Sequence, residues 1–283
     1  MTLAARLVPF VPVRLVAAAA RFVYPRFEPE LARLGDLCPR GCGTAVDVGG
    51  WYGPWTRRLS DRARRVVTVE PVPHLARLLA AVTPGNVQVV RAAASDRAGT
   101  ARLWLPPGDR GDRGVSSLVR RDIHARALDV PCVTLDSLNL RDVDFIKIDV
   151  DGNELAVLRG AGTLLTRDRP ALFIELEARI QPVDAVVSYL SERGYEGWVL
   201  PGDTWLPLSS FDLEAHQARA AHVVSQGLLR RVLPFRGPGY VRYVNSVLFL
   251  PDGRLPGERY ARHARHVPRV RQDGTHAPRQ ATG

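Results

Sequence analysis

Between Thr44 and Val90, short β-branched apolar runs alternate with helix-forming stretches, and each run closes on polar or turn-forming residues. Thr44 to Gly50 reads as a strand entering the tight turn Asp47-Val-Gly-Gly, and Pro54 to about Ser60 as a helix whose first turn tolerates proline. Arg65-Val-Val-Thr-Val-Glu70 is a second strand, Leu75 to Val82 a second helix and Asn86 to Val90 a third strand. A β-α-β-α-β series builds a parallel sheet with helices on both faces, so the pattern predicts an α/β, doubly wound fold. In such sheets ligands bind beyond the carboxyl ends of the strands, where the strand order reverses. The polar residues closing each strand are therefore the functional candidates.

Further along, Thr100 to Leu105 and Pro131 to Val133 read as strands, separated by the Gly/Pro/Asp/Arg loop Pro106 to Gly114. Val143 to Val150 is the next core strand, followed by a helix from Glu154 to Leu165, a strand from Pro170 to Glu177 and a helix from Val183 to Arg193. Tyr195 to Leu200 and Asn245 to Leu250 are the last strands. Pro201 to Tyr243 forms a long mixed insertion, helical near Leu213 to Val224, of the kind that acts as a lid or substrate wall. Three regions result: a helical N-terminal extension over 1–43, a main domain over 44–251 containing the 201–243 insertion, and a flexible basic tail over 252–283.

The formal net charge of +10 raises the possibility of a nucleic-acid partner. Its distribution argues against one. From Asp252 onward, seven arginines stand against three acids, so the tail carries +4, and elsewhere the arginines form no basic stripe interleaved with aromatics. The three cysteines, Cys38, Cys42 and Cys132, match neither a zinc pattern nor a disulfide framework, which suits a reducing, cytoplasmic setting. The apolar Leu7 to Ala20 stretch is broken by Pro9, Pro12 and Arg14, so it reads as a packed helix rather than a signal peptide or a transmembrane span.

The strand ends carry the chemistry. Asp47-x-Gly49-Gly50-x-x-Gly53 follows the first strand and opens a helix, and it lacks the dinucleotide pattern because Asp47 stands at the first glycine position. Glu70 closes the second strand, where an acid can bind both hydroxyls of a ribose, and Ser95-Asp96 form a polar turn after the third. Together these acids fit an S-adenosylmethionine pocket better than a nicotinamide one. The fourth strand ends in Ile146-Lys-Ile-Asp-Val-Asp-Gly-Asn-Glu154, and Lys147 is the only lysine of the chain. Asp149 and Glu175 close consecutive strands. Side by side they would serve as a general base pair or hold a divalent cation that acidifies a hydroxyl. Lys147 lies on the face of Asp149 and can pair with it. His124 and His216 are alternative bases.

Asp47-Val-Gly-Gly-Trp-Tyr-Gly53, Val69-Glu-Pro-Val-Pro73, Val133-Thr-Leu-Asp136, Asp144 to Glu154 with Val157-Leu-Arg-Gly160, and Pro170-Ala-Leu-Phe-Ile-Glu175 resemble, in order and spacing, the motif series of the FkbM-type methyltransferases. The resemblance implies a class I, Rossmann-like fold, mostly parallel with an antiparallel last strand at Asn245 to Pro251. It also implies S-adenosylmethionine-dependent O-methylation of a hydroxyl on a sugar or other secondary metabolite, hence a small-molecule or glycan acceptor. Carried over by position, Asp47, Gly49, Glu70 and Asp96 face the cofactor, and Lys147, Asp149 and Glu154 match the strand-four block. With the strand-end reading added, Gly50 and Ser95 join the cofactor side, Lys147, Asp149 and Glu175 form the catalytic group, and Ser117, Asp151 and Glu154 lie on the acceptor side. Two positions depart from the family pattern: Asp151 replaces a glutamate, and Gly50-Trp51 replaces a small residue and asparagine. The rival readings are a nicotinamide-dependent oxidoreductase and a cofactor-binding module without catalysis.

Overall fold

Every residue of strand β1 (Cys42–Val48) is buried, because it runs through the middle of a large sheet covered on both faces. The computed structural model describes residues 28–109, 111, 114–225 and 242–257. The expected helix at Leu7 to Ala20, part of the insertion (226–241) and the tail from 258 lie outside them. Residues 28–41 contribute a 3-10 turn at Pro29–Leu31 and the short helix α1 (Leu34–Leu37).

From β1 the chain passes through α2 (Pro54–Ser60), β2 (Ala63–Val69), α3 (Pro73–Val82) and β3 (Val87–Val90), with β2 and β3 added in parallel on one side. On the other side of β1 come β7 (Val143–Ile148) and β8 (Ala171–Glu175), also parallel. Strand β11 (Ser246–Pro251) then joins antiparallel to β8, followed by β9 (Tyr195–Val199) and the two-residue β10 (Leu206–Pro207). The full order is β10-β9-β11-β8-β7-β1-β2-β3. The doubly wound sheet and its antiparallel last strand are as the sequence predicts.

The two faces are closed differently. Against one pack α4 (Glu154–Arg159), α5 (Gly162–Asp168) and α6 (Val183–Ser191), burying Ile146, Ile148, Leu158, Leu165, Ile174 and Val186 together. Against the other, Trp55 of α2 is stacked on Phe145, with ring centroids 6.3 Å apart, and tilted on Phe173 at 4.9 Å. Tryptophan fills this face because a helix of only seven residues needs one large side chain to bury enough apolar area.

Two expectations need correction. The helix predicted over Glu154 to Leu165 is two helices, broken at Gly160-Ala161, where a Cβ on Gly160 would stand 2.1 Å from the Ser95 carbonyl oxygen. Asp136 caps the second helix from a distance, accepting from the N–H groups of Thr163 and Leu164 at 2.9 Å each. The short strand predicted at Pro131 to Val133 is the end of a longer one, β6 (Arg126–Val133). It pairs along its length with β5 (Gly99–Leu105) and at one end with β4 (Ala93–Ala94), making a separate three-stranded sheet. Pro131 is tolerated because β4 pairs only with Cys132 and Val133, leaving that edge of β6 open. The apolar face of this small sheet, including Leu103 and Val130, packs on Tyr52, Val72 and Leu75.

Phe145 is fully buried beneath Trp55. Phe145→Ala should therefore cost about 3–5 kcal/mol, seen in urea unfolding as a lower midpoint with an unchanged slope.

Candidate active site

The strand order reverses between β1 and β7, and a cavity of about 410 Å3 opens at the carboxyl ends of these strands. That volume suits a small-molecule ligand. Glycine is required where the chain leaves β1. Gly49 has φ +84° and passes so close to β7 that an added Cβ would lie 2.0 Å from the Asp149 carbonyl oxygen. At Gly50 a Cβ would stand 2.3 Å from Thr68 Cγ2 of β2. Trp51 follows in the left-handed region at φ 47°, a conformation asparagine adopts far more readily than tryptophan.

One half of the cavity is largely apolar, walled by Val48, Val69, Val72, Leu75, Leu103 and Leu118. Glu70 lines it from the end of β2. Its Oε2 accepts from the Trp51 N–H at 2.7 Å and its Oε1 from the Val72 N–H at 2.8 Å. Burial pushes its carboxyl up to about 7, offset only in part by these two amides. Asn153 also lines the cavity, and its side-chain amide donates to the Ala94 carbonyl at 3.0 Å. Ser95 and Asp96 stand behind this wall rather than on it. Ser95 Oγ accepts from Asn153 at 3.3 Å, and Asp96 meets Arg97 at 3.4 Å. Asp47 is likewise beneath the lining, fully buried, with Oδ2 accepting from Thr56 Oγ1 at 2.5 Å and Oδ1 3.8 Å from Lys147 Nζ. Burial raises its pKa against the pull of Lys147 and Thr56.

The other half is polar. Lys147 Nζ donates to the Gly49 carbonyl at 3.2 Å and to Asp149 Oδ2 at 3.1 Å. Burial alone would lower the pKa of this ammonium. Asp149 and Asp47 overcome burial and raise it, so Lys147 stays charged. Ile148 pairs with Ile174, so Asp149 and Glu175 leave adjacent strands at the same level, and both line the cavity. Glu175 accepts from Asn245 Nδ2 at 2.7 Å, and burial together with the charge of Asp149 drives its pKa well up. Asp151 forms an ion pair with Arg121 at 3.0 Å, yet its carboxyl is pushed up to about 7, first by burial and then by Asp149 and Glu154. Arg179, Tyr243, Asn245 and Glu28 complete this half. Arg179 and Tyr243 both donate to Glu177 Oε2, at 2.9 and 2.6 Å.

Other candidates hold the frame. Glu154 turns its carboxylate back on its own loop, accepting from the Val150 and Gly152 N–H groups and from Gln181, and it lies outside the main cavity. Ser117 lines the cavity but donates its hydroxyl to the Asp151 carbonyl at 2.8 Å, tying the 114–119 segment to the β7 turn. His124 is buried, accepting on Nδ1 from the Arg121 N–H, which leaves its Nε2–H to donate to the Val115 carbonyl. His216 is buried against the Arg242 carbonyl at 2.8 Å. Neither histidine lines the cavity. Among the described residues no three His, Cys, Asp or Glu side chains form a group able to hold a metal ion, Asp149 and Glu175 included. Nor is any described helix long and apolar enough to cross a membrane.

Residues 41–196, more than half of the chain, match the model of the methyltransferase FkbM domain. The chain belongs to the FkbM methyltransferase family. Among solved structures it is similar to the methyltransferase FkbM of Methylobacillus flagellatus KT, with 19% identity over 55% of this chain and 39% of that one, at a TM-score of 0.40. It is also similar to SMU.1697c, a putative methyltransferase from Streptococcus mutans in complex with S-adenosylhomocysteine, with 11% identity over 79% and 96% of the two chains, at 0.40. The precorrin-6y C5,15-methyltransferase of Geobacter metallireducens GS-15 has 13% identity over 78% and 85%, again at 0.40. No curated protein matches the chain. The family assignment rests on the domain model.

Sequence reasoning missed Glu28, Asn153, Arg179, Tyr243 and Asn245, all of which line the cavity. Asn153 had a signal, since it stands two residues beyond Asp151 in the turn that closes β7. Ser116, next to the expected acceptor-side Ser117, also lines the cavity, and its Oγ is buried without a hydrogen-bond partner.

Glu70 and Asp151 hold their protons more tightly folded than unfolded, with values near 7 against ordinary ones of 4.5 and 3.8. The stability they contribute is complete below about pH 4 and is lost as pH rises through about 7. The urea midpoint should fall between pH 5 and pH 8, and fall less in Glu70→Gln. An equal fall in both proteins would remove Glu70 as a cause.

Proposed function

We propose that this protein transfers a methyl group from S-adenosylmethionine to a hydroxyl oxygen of a sugar or secondary metabolite. One arrangement carries the reading. In a chain of this family, Glu70 and the Lys147–Asp149 pair line the same cavity at the point where the strand order reverses. The lining fits the cofactor chemically. Glu70 keeps lone pairs for two neighbouring hydroxyls beyond its two backbone bonds, the apolar half accepts a flat base, and the carboxylates of the polar half suit a sulfonium. A nicotinamide cofactor would bring a diphosphate against those same carboxylates without the three-glycine turn that usually receives it.

When bound, S-adenosylmethionine supplies a methyl group made electrophilic by the sulfonium it sits on. Gly49, Gly50, Glu70 and Asn153 would hold it directly. Ser95 and Asp96 act behind Asn153, and Asp47 acts behind Lys147. The acceptor hydroxyl must be aligned and lose a proton as it reacts. Asp149 takes that proton. Lys147 occupies its Oδ2 and keeps the carboxylate in place. Glu175, whose pKa is driven up by burial and by Asp149, holds its own proton and orients the acceptor as a donor. Asp151 and Ser117 shape the acceptor side through the turn they share, with Glu154 setting that turn.

Calorimetry with S-adenosylhomocysteine tests the reading, and no binding at millimolar concentration would sink it. Glu70→Ala should weaken that binding at least tenfold while the far-ultraviolet circular dichroism stays unchanged. In contrast, Asp149→Asn should lower turnover about a hundredfold or more with cofactor affinity held within about twofold. Equal losses in both would move Asp149 from proton transfer to binding.

A further inference from the structure

The polar half of the cavity is completed by two segments beyond the matched domain, residues 28–37 on one side and 242–245 on the other. They are fastened together. The Arg242 guanidinium bonds the buried Glu30 carboxylate and the Leu200 carbonyl. Arg33 donates to the Asp203 carbonyl at 2.9 Å, and Trp205 Nε1 meets Asp36 at 3.3 Å, so the N-terminal segment is fixed along the β9–β10 edge. Within this clasp Glu28 is held by the indole of Trp55, whose Nε1 donates to Glu28 Oε2 at 2.5 Å. Trp55 is itself locked on Phe145 and Phe173, so Glu28 is presented from a rigid base. It lines the cavity near enough to Lys147 and Glu175 to act on the charge of both.

The four carboxyls of this half are unequally matched: Glu175 keeps its proton, Asp151 faces Arg121 and Asp149 faces Lys147, while Glu28 accepts from the neutral indole of Trp55. Lys147 and Arg179 are the lining cations among the described residues. Both cations are turned to protein acceptors: Lys147 to Gly49 and Asp149, Arg179 to Glu177. A phosphate or carboxylate on the acceptor would enter against like charge, whereas an ammonium or a hydroxyl would find acceptors on several sides.

We propose that Glu28 is a specificity-determining residue, and that the acceptor carries an amine beside the methylated hydroxyl, as in an amino sugar or aminocyclitol, rather than a phosphate or carboxylate. This rests on the methyl-transfer reading given above. Within it, Glu28 binds the ammonium, Asn245 and Tyr243 hold the carboxyls of Glu175 and Glu177 in place, and Asp149 remains for the reacting hydroxyl.

The test is a calorimetric titration of the full chain loaded with S-adenosylhomocysteine, using glucosamine, glucose and glucose 6-phosphate as probes. Glucosamine should bind at least tenfold more tightly than glucose 6-phosphate, with glucose between them. Glu28→Gln keeps the oxygen that accepts from Trp55 and removes the charge, so it should narrow that gap at least threefold. Equal or tighter binding of glucose 6-phosphate, no binding of glucosamine, or an unchanged gap in Glu28→Gln would each overturn the proposal. Should the variant not fold, the order of the three probes on the wild type decides. The loading step separates the two readings. Failure to load rejects methyl transfer, whereas loading followed by the wrong probe order rejects only the amine-bearing acceptor.

Discussion

A single buried ammonium holds the two halves of the sheet in register where the site is built. Lys147 is 4% exposed, and its Nζ reaches the carbonyl of Gly49, the carboxylate of Asp149 and, at 3.8 Å, that of Asp47. Taking such a charge out of water is costly unless good partners surround it, and breaking a buried pair by removing one member costs about 3–5 kcal/mol. Here the partners belong to the exits of β1 and β7. The pairing that neutralises Lys147 therefore also fixes the glycine turn against the Asp149 side of the cavity, and Gly49 can approach the Asp149 backbone because it has no Cβ. Arginine could not replace Lys147 without rebuilding this corner, since a planar fork cannot place one compact charge among three oxygens on different strands.

From that corner the cavity divides by the kind of wall each neighbouring element provides. The β5–β6 hairpin leans its apolar face over α3 and supplies Leu103, while Gly111 packs so closely on Val72 that an added Cβ would stand 2.7 Å from Cγ2. The described parts of the Pro106 to Gly114 loop thus serve the apolar half. In sequence a Gly/Pro-rich loop of this kind reads as a binding loop whichever side it falls on. What decides its side is the pairing of β5 with β6, a long-range contact with little local signature: four of the eight β6 residues in a row are exposed, and the apolar alternation is weak.

The parallel core was legible because β1, β2, β7 and β8 are largely buried, mostly apolar runs that end in or are followed by acid or glycine. Glu70, Lys147, Asp149 and Glu175 were found by the same logic, as each stands at or near the carboxyl end of a parallel strand and lines the cavity. Asp47, Ser95 and Asp96 show where the logic loosens. A strand-end acid is as well suited to support the lining from beneath as to form it, and only packing distinguishes the two. Asp47 is turned to Thr56 and Lys147, and Ser95 is screened by Asn153.

Two of the missed residues, Asn245 and Tyr243, share a geometric cause. Strand β11 runs antiparallel to β8, so its amino end, rather than its carboxyl end, meets the rim where Glu175 emerges. Searching strand carboxyl ends for polar groups must then overlook Asn245, which stands just before Ser246, the partner of Glu175 across the pair. Tyr243 follows from the same reversal, reaching Glu177 two residues past the β8 end. Glu28 lies further still from any strand rule, since it arrives through a segment joined to the β9–β10 connection and to Arg242 by Arg33, Asp36 and Glu30. In a doubly wound sheet closed by one reversed strand, the parallel strand ends hold the residues of the proposed reaction. The reversed strand and the segments clasped to it are then free to differ in what they admit, because their sequence is not bound by the packing of the central strands.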